Sequence, residues 1–173
     1  MIAWHSPVRS AVSPWLEVPF VRQVKAGCGS AAVAMVMQYW VSQRPELDAA
    51  AADAERIDEV LSPPSAKGIP GQMLKRYFED HGFTAFIFRG ELRDLKQHLN
   101  KGRPVVVCLG LKGPREPLHY VVVVGMEDRA VLLNDPARGK LVHEGLDRFL
   151  PAWEATQNWA LLAVPRPASK PDR

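Results

Sequence analysis

The chain has 173 residues, enough for one domain with a buried core and too few for a second full one. Its composition, 47% hydrophobic and 24% charged, is that of an ordinary globular protein and excludes a disordered chain. The 22 basic and 19 acidic residues are interspersed and leave a net charge of +3, with no Lys/Arg run interleaved by aromatics, so no nucleic-acid partner is expected.

In chain order, residues 1–14 carry His5, Arg9 and two prolines without an uninterrupted apolar stretch, and read as a flexible arm rather than a signal peptide. One domain is expected over 15–164. Its first segment, Leu16 to Val21, reads as a short edge strand because Pro19 cannot donate to a ladder. Val24 to Gly27 is a turn, and a helix begins at Cys28 and runs to about Val41. This helix is apolar nearly all round and should lie buried in the middle of the domain. A second helix is expected over Glu46–Leu61, a loop over 62–68, and a third helix from Gly71 to Asp80, stopped by His81-Gly82. Phe83–Phe88 reads as a strand, Glu91–Asn100 as a helix and Pro104–Leu109 as a strand.

The remainder is mostly sheet: His119–Gly125, Val131–Asn134, Lys140–His143 and Trp159–Val164, interrupted by one helix over Leu146–Thr156. The turn at 126–129 between two strong β runs signals a hairpin. Residues 165–173 read as a loose tail. Helices early and hairpin-linked strands late point to an α+β fold with segregated layers. No segment approaches the roughly 20 apolar residues of a membrane helix. As written the chain reads as soluble and cytoplasmic, or as an exported protein whose leader has been trimmed. Its oligomeric state is not legible.

Four residues form a candidate site. Cys28 stands at the start of the buried helix, where the positive end of the helix dipole favours thiolate, between Gly27 and Gly29 that let a substrate backbone approach. Gln23, five positions upstream, supplies a side-chain amide of the kind that stabilises an oxyanion beside a nucleophile's own N–H. His119 opens a run of β-formers and so sits on a rigid element, as a general base needs. Asp135, at the end of the next strand, is a candidate acceptor for the imidazole N–H. Its neighbour Asn134 competes for that role, and strand alternation lets only one of the two reach His119. Each signal has a bland alternative: a packed cysteine, a surface glutamine, a structural histidine, a turn aspartate. Their order and setting together match nucleophilic catalysis. Cys108, inside the apolar run 105–109, reads as a small buried hydrophobe. Two isolated cysteines and five scattered histidines make no metal pattern, and no cofactor is expected.

The segments Val18-Pro19-Phe20-Val21-Arg22-Gln23, Cys28-Gly29 with its Ala/Val/Met helix ending Tyr39-Trp40, His119 to Gly125, and Asn134-Asp135-Pro136-Ala137-Arg138-Gly139 resemble the double-glycine (bacteriocin-processing) leader peptidases. The resemblance implies a papain-like fold, a helical lobe carrying Cys28 against an antiparallel sheet carrying His119 and Asp135. It also implies cleavage of a peptide or protein substrate after a Gly-Gly pair, with Gln23 in the oxyanion hole. Ser30 departs from the Pro or Leu that many members carry, and nothing here is long enough for the membrane-spanning exporter to which the best-known members are fused. Two other readings use the same residues: acyl transfer of transglutaminase type, and a catalytically silent peptide-binding module.

Overall fold

A computed structural model of the chain describes residues 15–25, 27–61, 68–110 and 118–168. The expected arm (1–14), most of the 62–68 loop and the end of the expected tail (169–173) lie outside them.

The central helix, α1 (Cys28–Gln43), is buried from Cys28 through Met37, as its nearly unbroken apolar surface requires. The helix expected over Glu46–Leu61 is two pieces, a 3-10 turn at Ala49–Ala52 and α2 (Ala54–Leu61). Two aspartates explain the break. Asp48 accepts a hydrogen bond from Ala50 N and Asp53 from Arg56 N, each capping the piece that follows it. α3 (Gly71–Asp80) packs with these on the same side of the sheet.

The sheet is six-stranded and antiparallel, in the order β1-β6-β2-β3-β4-β5. Its strands are β1 (Phe83–Arg89), β2 (Val105–Gly110), β3 (Leu118–Met126), β4 (Ala130–Asp135), β5 (Gly139–Gly145) and β6 (Trp159–Pro165). Two more helices, α4 (Leu92–Asn100) and α5 (Leu146–Glu154), cover the opposite face. The central strands are therefore buried on both sides. Val106, Cys108, Tyr120, Val122 and Val124 face the α1 lobe, whereas Val105, Val107, Leu109, Val121 and Val123 pack with Leu95, Phe149 and Trp153. Burial on two faces is why β2 and β3 read as continuous apolar runs instead of alternating ones.

The stretch Leu16–Val21 is extended but is not a sheet strand. Only Trp15 makes a bridge, to Gly125, and Leu16 N donates to Val124 O at 2.8 Å. With Pro19 unable to donate, the segment is instead held by Asn134, whose Nδ2 donates to Val18 O at 3.0 Å. At the other end β6 runs through Pro165, and Arg166 N donates to Gly82 O at 2.9 Å, so the ordered chain continues past Val164.

Candidate active site

Antiparallel pairing brings the end of β2, the start of β3 and the end of β4 to one edge of the fold. A cleft of about 1380 Å³ opens there, and Gln23, Cys28, His119 and Asp135 all line it. Cys28 is the first residue of α1 and is nearly buried. The preceding Gly27 is needed where it stands: a Cβ on it would lie 2.9 Å from Asp58 Oδ1 and 3.0 Å from Val24 O. Ser30, two residues further on, donates to Asp58 Oδ1 at 2.9 Å and so helps fasten α1 to α2.

His119 Nε2 donates to Asp135 Oδ1 at 2.7 Å, and the imidazole lies near enough to the Cys28 thiol for each to shift the other's proton affinity. With Nε2 taken by the carboxylate, Nδ1 is the nitrogen left for sulfur. Asp135 Oδ1 further accepts from Ala137 N at 2.9 Å and Arg138 N at 3.3 Å, so the turn that Pro136 begins grips the carboxylate as it faces the histidine. Asn134 points the other way. It pairs with Val122, is fully buried, and bridges Val18 O to Leu141 N. Of the two neighbours, Asp135 is the one that meets His119.

The electrostatics follow from these contacts. Burial pushes the Cys28 thiol up, but hydrogen bonds from His119 and from the Tyr120 and Gly29 amides outweigh it and hold the thiol below its ordinary value. Burial works against a charge on His119, yet Asp135 and Cys28 raise it to about 9. Burial opposes the Asp135 charge too, and His119 with the two turn amides brings it below the ordinary value. The three groups are coupled: the imidazolium favours the thiolate on one side and the carboxylate on the other, and each of them favours the imidazolium. Cys108 also lines the cleft, but burial pushes its thiol up to about 12 and keeps it protonated.

Gln23 is anchored at the rim. Its N–H donates to Pro136 O at 3.0 Å, tying the loop before Cys28 to the turn after Asp135. Its Nε2 donates to Lys25 O at 2.9 Å, which uses one of the two amide hydrogens, and its Oε1 is buried without a protein partner.

Sequence reasoning missed three contributors to the cleft. Tyr120 donates through its hydroxyl to Ile69 O at 3.0 Å and sets its ring 5.4 Å from that of Trp159. Trp159 presses on Gly71 so closely that a Cβ there would lie 2.4 Å from its ring. Glu144, on β5, is a buried carboxylate held by Arg138 and by Arg148. The first could have been found from strand alternation beside His119; the other two depend on contacts between distant segments and left no local pattern.

The helical lobe, antiparallel sheet and cleft define a papain-like fold. The model of the Peptidase_C39 like family matches residues 15–161, and the chain belongs to that family of cysteine peptidases. Among solved structures it is similar to a double glycine motif protease from an AMS/PCAT transporter in complex with its leader peptide. That likeness has 22% identity and a TM-score of 0.67, covering 89% of this chain and 96% of that one. It is also similar to a C39-like peptidase described for Bacillus anthracis (19%, TM-score 0.66, covering 88% and 98%) and to the peptidase domain of Streptococcus ComA (22%, TM-score 0.67, covering 87% and 100%). No curated protein matches. Among the described residues no helix is long and apolar enough to cross a membrane, and no group of His, Cys, Asp and Glu could hold a metal ion.

Proposed function

We propose that the chain is a cysteine peptidase that hydrolyses peptide bonds through Cys28, His119 and Asp135, with cleavage after a Gly-Gly pair. The observation that carries this reading is that Cys28, His119 and Asp135 line one cleft of about 1380 Å³, with His119 hydrogen-bonded to Asp135 at 2.7 Å and holding the Cys28 thiol below its ordinary value. The Cys28 thiolate attacks the scissile carbonyl, and the remaining Gln23 Nε2 hydrogen with the Cys28 N–H receives the developing oxyanion. His119 passes its proton to the departing amine, leaving a thioester on Cys28. Water, deprotonated by His119, hydrolyses the thioester and restores the thiol. Asp135 fixes the imidazole orientation throughout.

Specificity for Gly-Gly is drawn from the family, and the wall formed by Tyr120 and Trp159 beside the nucleophile supports it by narrowing the approach to sulfur. The test is a set of synthetic peptides carrying Gly-Gly or Ala-Ala before the cleavage point, with products identified by mass spectrometry. Hydrolysis after Gly-Gly is expected, with Cys28→Ala abolishing it while circular dichroism stays unchanged. Equal activity of Cys28→Ala would end the reading, and incorporation of an added amine in place of water would mark acyl transfer instead. The rate should be lost as pH rises through about 9, where His119 gives up the proton it must deliver to the leaving group.

A further inference from the structure

Behind the carboxylate of Asp135 lies a second charged group that the mechanism above does not use. Arg138 Nη1 stands 4.0 Å from Asp135 Oδ2, outside hydrogen-bonding distance, because the same nitrogen hydrogen-bonds Glu144 Oε2. Glu144 is the better anchored partner. Its side chain is only 10% exposed, and its other oxygen is ion-paired with Arg148 Nε at 3.1 Å. Glu144 comes from β5 and Arg148 from the first turn of α5, so two elements outside the triad fix where the Arg138 guanidinium can go.

A guanidinium is built to take both oxygens of a carboxylate at once. Free to turn, Arg138 would do so with Asp135, whose Oδ1 already accepts from the Arg138 backbone N–H at 3.3 Å, and would compete there with the His119 N–H. We propose that Glu144 is a positioning residue of the site, holding Arg138 off Asp135 so that the carboxylate's field and its oxygens act on His119 without a rival cation. The inference rests on the Cys28–His119–Asp135 reading. The groups around Arg138 are consistent with it: Asp135 on β4, Glu144 on β5, Asp147 and Arg148 on α5, and Arg22, whose Nη1 donates to Ala137 O at 3.3 Å. Asp147 also lines the cleft, but it folds over Gly145 at the head of α5, where a Cβ would meet its Oδ1 at 2.5 Å.

The test is an NMR titration of the His119 imidazole in the wild type, Glu144→Gln, Arg138→Met and the double variant. The wild type should titrate near 9. Glu144→Gln should lower the midpoint by about half a unit or more, the scale of one partly screened charge a few ångströms away. Arg138→Met should not lower it. The double variant should match Arg138→Met to within about 0.3 unit, since Glu144 has nothing left to act through. An unmoved midpoint in Glu144→Gln, or a double variant still lowered, overturns the proposal. Should Glu144→Gln not fold, a fall in Arg138→Met alone overturns it, by making Arg138 a support of Asp135 rather than a rival for it. A wild-type midpoint at or below the ordinary 6.5 is a separate result, which removes the triad reading itself and this inference with it.

Discussion

Asn134 and Asp135 are adjacent, both polar and both almost fully buried, yet their side chains leave the strand on opposite faces. Asn134 ties the Val18 segment to Leu141, whereas Asp135 meets His119. Substitution should separate these tasks. Asn134→Ala strands the buried Val18 carbonyl and the part-buried Leu141 N–H, so it should cost about 1–3 kcal/mol of stability, read by chemical denaturation, and leave the pH profile of the remaining folded protein in place. Asp135→Asn keeps the shape but removes the charge and offers His119 an amide donor. It should cut kcat/KM by about 10²-fold or more, with the His119 midpoint falling from near 9. The reverse pattern would move the orienting role to Asn134. The sequence limited the choice to these two residues, because alternation on a strand is a local rule. Which of them faced His119 depended on the register between β3 and β4, and register is set across strands.

At the scale of elements, those driven by unbroken apolar runs were legible in type and nearly in extent: α1, α3 and β1 to β4 all begin within two residues of expectation. The failures had local causes that burial patterning does not carry. The helix over 46–61 divides because Asp48 and Asp53 cap separate pieces, and the segment at 16–21 stays out of the sheet because it is tied by one bridge and one asparagine instead of a ladder. Helices on both sheet faces were also unforeseen, since continuous apolar strands are compatible with more than one kind of cover. The joint between α3 and β6 offers a prediction at this scale. Gly71→Ala places a methyl where Trp159 already sits, while Trp159 O is held by Trp153 Nε1 at 2.9 Å, so the ring has to shift within the cleft wall. Stability should drop by about 1–3 kcal/mol and KM should rise more than kcat falls, as measured by thermal melts and steady-state kinetics. An unchanged KM would mean that this wall does not touch the substrate.

For the whole molecule, the informative fact is how far apart the site's parts lie along the chain. The proposed nucleophile is Cys28, its proposed base His119 and the proposed orienting carboxylate Asp135, and the loop carrying Gln23 is stitched to Pro136 by a backbone hydrogen bond. Their chemistry could be guessed from residue types and order, but the coupling that makes the thiol acidic exists only when both layers are docked. A chain ending at Gln157 retains all four residues and lacks β6, which pairs with both β1 and β2. Its Cys28 should lose preferential alkylation by iodoacetamide at neutral pH over Cys108. Retention of that preference would show that the site assembles without the completed sheet.

The strand order has one more consequence, for a newly made copy of the protein. The last strand in chain order takes the second place in the sheet, between the first two to be synthesised. On the ribosome those two must wait, with a gap between them, until nearly the whole domain has emerged. On the proposed mechanism the sulfur of Cys28 is thus present early in translation but unarmed, and a half-made chain has no working blade to turn on itself or on neighbouring nascent polypeptides.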